Sequence, residues 1–516
     1  MSENSKTRLL KQNFASGLVV FLVALPLCLG IALASDAPPL SGIISGIVGG
    51  IVIGWLSTSH ISVSGPAAGL VAIVVATISQ LGSFELFLCA GVVAGAIQLC
   101  LGFMRAGSIT NYIPVAVIEG MLAGIGILII FKQLPYALGT EEFSLSSTNS
   151  FINIHLGSLI IALVSIFIML GWDSSPKLKK IKWLPSALIA VLVSVIINRL
   201  FISSGSYLAI PENQLVQLPV PHSWDDMKHL IVLPNFSGFT NSIVWVTGAT
   251  IAAVASIETL LSVEAADRLD VKRRITDSNQ ELRAQGVGNI ISSLIGGLPI
   301  TAVIVRSSAN ANAGATHKIS AIIHGILLLV CVLMIPSILN EIPLATLAAV
   351  LILVGYKLAR PSTFQHFWQK GIYQFIPFIA TMIAVVLFDL LKGVGLGLII
   401  SILFILHGNM KRAYYLSREE LAEASQITLD LAEEVSFLNK AAIKKTLKNV
   451  QPNSTVIINA QNTSYIACDV LELIEDFANI YAKENNIHVV LKGFKADYDN
   501  QVDQTTNIRV EHHHRI

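Results

Sequence analysis

His60-Ile-Ser-Val-Ser-Gly65-Pro-Ala-Ala-Gly69 decides the fold. Ile61–Ser64 alternates apolar and small polar residues, as a short strand does. Pro66 fits the first turn of a helix, where its missing N–H costs nothing. The N–H groups of Ala67, Ala68 and Gly69 are then expected to be open and to point back at the break. A helix that starts there carries partial positive charge and attracts an anion.

A counterpart lies far along the chain. Gly296-Gly-Leu-Pro299 is a turn, and Ile300–Val305 is largely β-branched and reads as a strand. Arg306, Ser307, Ser308, Ala309 and Asn310 follow and suit a helix start with polar caps. Two such starts facing each other make one anion site near the bilayer midplane. Gly-Pro pairs also kink ordinary membrane helices, but two breaks at matching places point to function. Arg306 stands in an apolar segment, where an arginine costs several kcal/mol unless paired or hydrated. It reads as an anion ligand or as the partner of a buried carboxylate.

Apolar runs surround both breaks. They fall near 14–34, 40–56, 61–79, 84–104, 111–131, 154–171, 184–202, 242–263, 284–297, 301–314, 317–336, 343–358, 371–391 and 393–410. Fourteen crossings with the N-terminus inside put nineteen Lys and Arg inside and four outside, with Arg306 left over. That is a strong positive-inside bias. Both termini are then cytoplasmic, and the protein is multi-pass in the cytoplasmic membrane. The longest exterior loop, about 203–240, separates two halves, 1–202 and 242–412. Seven segments each is an odd number, so the halves are inverted. Lys6, Arg8 and Lys11 before the first run could mimic a signal peptide, but the next run begins at once at Leu40, so an uncleaved helix is expected. Gly42, Gly46, Gly50 and Gly54 give the second segment a close-packing face.

Composition agrees. The chain has 516 residues, 53% of them hydrophobic and only 13% charged, with net charge +1. Charged residues are about one in ten over 1–412 and about one in four over 413–516. The first part reads as a membrane domain, the second as a soluble one. Disorder and nucleic-acid binding are excluded. The five cysteines, Cys28, Cys89, Cys100, Cys331 and Cys468, show no CxxC spacing and read as small core hydrophobes. No phosphate-binding loop, HExxH or GxSxG is present, so neither ATP-driven transport nor hydrolysis is indicated. The chain is not read as an enzyme, and no metal or cofactor is called for.

Glu258 lies in Ile251-Ala-Ala-Val-Ala-Ser-Ile-Glu258-Thr-Leu-Leu-Ser262. Glu258 and Ser262 are four apart and share a helix face. A buried carboxylate beside a hydroxyl can take up a proton or help hold Na⁺. Either brings positive charge that moves with the anion. Glu119, Asp389 and His324 are weaker candidates, and Arg268–Arg274 reads as an interior topogenic loop.

The tail reads β-α-β-α-β over 425–494. Its strands are about Gln426–Ala432, Ser454–Ala460 and Ile487–Lys492, and its helices about Phe437–Leu447 and Asp469–Lys483. His512–His514 read as a solvated end.

These residues resemble the SulP anion permeases, whose animal relatives include prestin, over nearly the whole chain. The carrying pieces are Ala24-Leu-Pro-Leu-Cys-Leu-Gly-Ile-Ala-Leu33, Val63-Ser-Gly-Pro-Ala67, Asn279-Gln-Glu-Leu-Arg-Ala-Gln-Gly286, and Gly296-Gly-Leu-Pro-Ile-Thr301 through Arg306 to Asn312. The likeness is to a bacterial group with a short tail. It implies a seven-plus-seven inverted repeat, with a core domain that moves like an elevator against a gate domain, often in a homodimer. The anion is implied to bind between the third and tenth segments. Leu27 and Ile31 would line the pocket from segment one, Ala67 from segment three beside the Ala68 donor, and Val303, Val305 and Arg306 from segment ten. Some relatives carry glutamine, phenylalanine or serine at these positions, so this pocket is more aliphatic. In sodium-bicarbonate members an aspartate and a hydroxyl residue stand at the positions of Glu258 and Ser262. The tail resembles a STAS domain, but Tyr465-Ile-Ala-Cys-Asp469 replaces the usual phosphoacceptor loop. Docking of a cytoplasmic partner or dimer support is the tail's expected role. The expectation is a secondary importer of bicarbonate or sulfate, coupled to Na⁺ or H⁺, with membrane lipid as its surroundings. A passive anion channel or an exchanger of the same fold is the alternative.

Overall fold

The computed structural model describes residues 3–140, 154–175, 185–220, 231–388, 390–411, 414–421, 424–494 and 508–511. Asp389 and His512–His514 lie outside the described residues. The chain divides into two compact units, Met1–Leu398 and Ile399–Ile516.

The helices of the first half are α1 (Glu3–Ala34), α2 (Pro39–Leu56), α3 (Ala68–Leu81), α4 (Phe84–Phe103), α5 (Val115–Leu138), α6 (Leu156–Ser174) and α7 (Ser186–Ser203). Those of the second are α8 (Ser242–Leu269), α9 (Ser278–Leu294), α10 (Ile304–Asn312), α11 (Ile319–Met334), α12 (Leu344–Leu358), α13 (Ile372–Leu387) and α14 (Leu390–Lys411). Strand β1 (Ser64–Pro66) precedes α3, and β2 (Ile300–Ala302) precedes α10. Among the described residues, eight helices are long and apolar enough to cross a membrane. Each of the fourteen apolar runs corresponds to one helix, and the third and tenth are strand–helix pairs.

The two halves pack as an inverted repeat. α1 lies on α11 as α8 lies on α4, and α2 lies on α11 as α9 lies on α4. α5 packs on α12 and α13, and α12 packs on α6. The packing thus separates a core bundle, α1–α4 with α8–α11, from a gate bundle, α5–α7 with α12–α14.

The glycine face of α2 is what lets the core close. A Cβ at Gly46 would stand 2.7 Å from Leu328 Cδ1 and 2.8 Å from Cys28 Sγ. A Cβ at Gly49 would meet the Ser64 carbonyl oxygen at 2.5 Å, because β1 runs against this helix. The cysteine expectation needs correcting. Cys28, Cys89 and Cys331 are buried, but Cys100 and Cys468 are exposed. Cys100 sits on the outer face of α4, and Cys468 begins a surface helix. An apolar run locates a helix but not which face is inside.

The Arg268–Arg274 stretch forms the turn between α8 and α9. Asp270 accepts from Arg274 Nε at 2.6 Å and from Arg274 Nη2 at 3.1 Å. Arg274 Nη2 also donates to the Thr316 carbonyl at 3.0 Å, tying this turn to the α10–α11 connection. The Arg274 hydrogen bonds hold the Asp270 carboxyl down, to about 2.

The second unit is α/β. Strands β3 (Tyr414–Leu421), β4 (Ala424–Leu431), β5 (Thr455–Asn459), β6 (His488–Lys492) and β7 (Ile508–Glu511) form one sheet in that order. β3 and β4 are antiparallel and the remaining pairs are parallel. Helices α15 (Lys440–Lys448) and α16 (Cys468–Asp476) connect the parallel strands. The two outer strands, β3 and β7, lie outside the 425–494 reading. Val456, Ile458, Leu429 and Ile443 are at the centre of this unit's own core.

Two outcomes test this packing. Gly46→Leu should overfill the α1–α2–α11 contact and cost about 1–3 kcal/mol, read as a lower melting temperature in detergent. Asp270→Asn should cost about 2 kcal/mol at neutral pH. A depressed folded-state value stabilises above the ordinary 3.8 and fails as pH falls through about 2. The gap between wild type and variant should therefore close on acidification.

Candidate anion site and the pairing that holds it

A bilayer offers no water to an irregular backbone, so a break at membrane depth must find partners inside the protein. Here the two breaks satisfy each other. β1 and β2 pair antiparallel, with Ser64 opposite Ala302, Gly65 opposite Thr301 and Pro66 opposite Ile300. Val303 N–H donates to the Val63 carbonyl at 3.0 Å, and Ala67 N–H donates to the Pro299 carbonyl at 3.3 Å. Two expectations are corrected by this ladder. Pro66 is the last residue of the strand, not the first turn of the helix. Ala67 N–H is not an open donor, because it extends the strand pairing.

Polar side chains from neighbouring helices clamp the ladder. Asn289 on α9 accepts from Ile300 N–H at 2.6 Å and donates to the Ile300 carbonyl at 3.0 Å. It also donates to Gln98 on α4 at 2.7 Å. Thr259 on α8 accepts from Ala302 N–H at 3.2 Å. Gln285 donates to Ser64 Oγ at 2.8 Å and to Glu281 at 3.0 Å, and Ser57 donates to the same buried Glu281. Asn310 Nδ2 donates to the Ile61 carbonyl at 2.8 Å. The sequence reading did not single out Gln98, Thr259, Gln285 or Asn289 as site residues. Their signal was present: Gln285, Asn289 and Ser292 recur at helical spacing along an otherwise apolar run.

The strands deliver two helix starts into the core bundle. In α10, Ser307 N–H is the first to find its in-helix acceptor, at Val303. The N–H groups of Ile304, Val305 and Arg306 precede it and have no in-helix acceptor. In α3 the opening turn is Ala68–Leu70. The Glu258 carboxylate packs against Gly69 in that turn. A Cβ at Gly69 would stand 2.7 Å from Glu258 Oε2, so only glycine admits the carboxylate this close. Glu258 Oε2 is itself buried without a hydrogen-bond partner.

Arg306 is fully buried, at 0% exposure. Its Nη2 donates to Cys28 Sγ at 3.4 Å, while Nε and Nη1 have no partner. A Cβ at Gly65 would overlap the guanidinium, so the arginine packs against β1 where only a glycine leaves room. Among the described residues, no ion pair joins Arg306 to Glu258. The structure places the carboxylate at the start of α3 and the guanidinium against the strand beside Cys28.

The other anticipated residues distribute as follows. Leu27, Ile31 and Ala67 are buried in one cluster, against which Ala68 and Val305 pack. Leu27 and Val305 also line a cavity of about 670 Å³ between α1 and α10 on one side and α6 and α12 on the other. That cavity reaches the ends of α6 and α12, where Asp173 and Lys357 stand 3.3 Å apart. Val303 is half-buried at the cap of α10. Ser262 is buried one turn beyond Glu258 on α8. Ile31, Ala67, Val303 and Arg306 do not line this cavity.

Two inverted halves, paired half-helices and an apolar cavity between two bundles define a membrane transporter of the inverted-repeat class. The chain belongs to the sulfate permease family, whose profile matches residues 10–381. The putative sulfate transporter YvdB of Bacillus subtilis is 28% identical over 76% of this chain and 73% of its own. The bicarbonate transporter BicA of Picosynechococcus sp. is 24% identical over 76% of this chain and 70% of its own. The solved structure of the murine anion transporter Slc26a9 in its inward-facing state has a TM-score of 0.72 at 18% identity, covering 95% of this chain and 86% of that one.

Asn289→Ala tests the clamp. It strands the Ile300 N–H and carbonyl in a buried site and should cost about 2–4 kcal/mol, with faster proteolysis in detergent.

Proposed function

We propose that the chain carries a small inorganic oxyanion, bicarbonate or sulfate, across the cytoplasmic membrane, with both termini cytoplasmic. The carrying observation is the buried Arg306, whose Nε and Nη1 lack partners beside two paired half-helix starts. A guanidinium at this depth without a carboxylate is costly, and a partly dehydrated anion repays the cost. The backbone donors at the starts of α3 and α10 add partial positive charge. Leu27, Ile31, Ala67, Val303 and Val305 give the anion an aliphatic surround.

Glu258 and Ser262 form the coupling site for Na⁺ or H⁺. The carboxylate sits against Gly69, in the first turn of the anion-facing helix start. A proton or a cation on Glu258 cancels a negative charge beside that helix start and so favours an anion there. The core bundle then moves against the gate bundle as an elevator, carrying both ions. The tail acts as a STAS-like module that supports a homodimer or docks a cytoplasmic partner. The names of the relatives, one sulfate and one bicarbonate, keep both substrates in play.

Counterflow in proteoliposomes with labelled bicarbonate and labelled sulfate, with and without Na⁺ and with a pH step, tests this reading. One anion should exchange at carrier rates and accumulate against its gradient only with the coupling ion. Arg306→Ala should reduce uptake at low substrate at least a hundredfold while the protein stays folded. Glu258→Gln should keep exchange and lose accumulation. Currents far above carrier rates would instead mark the passive channel.

A further inference from the structure

A second cavity, of about 640 Å³, opens at the opposite face, where α1 ends and α5 ends. Asp36, Lys132, Tyr136 and Thr140 line it. The positive-inside bias assigns this face to the exterior.

Asp36 breaks two local rules at once. It follows α1 in a helix-ending turn, with Asp36 N–H donating to the Leu33 carbonyl and Ala37 N–H to the Ala32 carbonyl. Such a turn places one residue in the left-handed region, and glycine is the usual occupant. Asp36 sits there at φ 52°. The end of a helix also carries partial negative charge, which disfavours a carboxylate. A residue that is costly in both respects points to a use for its side chain.

The use lies across the cavity. Lys132 and Tyr136 are one turn apart on α5 and line the same cavity as Asp36. No ion pair closes the gap between Asp36 and Lys132 among the described residues. Lys132 belongs to the gate bundle, whereas Asp36 is carried by α1 of the core bundle. Thr140 Oγ1, beside them, is buried without a partner.

We propose that Lys132, with the Thr140 hydroxyl, forms an exterior capture subsite for the incoming small oxyanion, and that Asp36 is its built-in competing counter-ion. The anion exchanges one negative neighbour of Lys132 for another. Asp36 keeps the capture weak, so the anion is passed inward rather than trapped. This deepens the transport reading, and only its kinetic arm rests on that reading.

The test uses the full-length chain. In proteoliposomes, Lys132→Gln should raise the exterior KM for labelled sulfate or bicarbonate three- to tenfold, and Lys132→Arg should restore it. Asp36→Asn and Asp36→Gly should each lower that KM by a similar factor without raising kcat, and glycine suits the turn, so the second variant folds. Independently of turnover, Lys132 in solubilised protein should be shielded from amine acylation by millimolar sulfate or bicarbonate, read by mass spectrometry. Asp36→Gly should lower the concentration that gives half shielding. If neither anion is transported but shielding responds this way, the transport reading fails and the subsite stands. If transport proceeds with all KM values unchanged, or if shielding ignores Asp36, the subsite is overturned.

Discussion

Everything in the membrane unit depends on six residues of antiparallel backbone pairing between Ser64–Pro66 and Ile300–Ala302. Lipid tolerates non-helical backbone only where its N–H and carbonyl groups are answered by protein. The two breaks answer each other, and Asn289, Thr259 and Asn310 answer backbone groups that remain nearby. The half-helices therefore start at fixed positions in a rigid core. An anion site built from helix ends needs that rigidity, because donors that relax with the ligand lose the advantage of being arranged beforehand.

Charge follows from the same scaffold. Strand β1 at Gly65 leaves room for the Arg306 guanidinium, and the first turn of α3 at Gly69 leaves room for the Glu258 carboxylate. The two ionisable groups are kept apart, each against a different piece of one ladder. Had they paired, the positive charge would be spent inside the protein. Their separation leaves Arg306 Nε and Nη1 and Glu258 Oε2 without protein partners.

Much of this was legible in the residues. Apolar run lengths gave the fourteen segments, and the Gly-Pro and Gly-Gly-Leu-Pro interruptions gave the two breaks, because hydropathy and turn chemistry act locally. The exact ends of the strands were not legible. Pro66 and Ala67 take their positions from a partner some 230 residues away, so local rules for proline misassigned them. The clamp residues were visible as a polar stripe on α9 but not as a function, since a stripe does not say what it holds. The facing of Arg306 toward Cys28 depends on three elements distant in sequence, and no periodicity encodes it. In the tail, the parallel strands and their helices were periodic enough to read, whereas β3 and β7 fell outside the span considered.

The long separation of the paired strands has a consequence for biosynthesis. Ser64 meets Ala302 only after synthesis has passed residue 302, well into the second half. At ordinary translation speeds of about 5–20 residues per second, the first strand waits for tens of seconds. Throughout that interval its backbone sits at bilayer depth with no mate. The nascent first half must therefore be sheltered, by the insertion machinery or by a provisional register, until the ribosome has passed the second break.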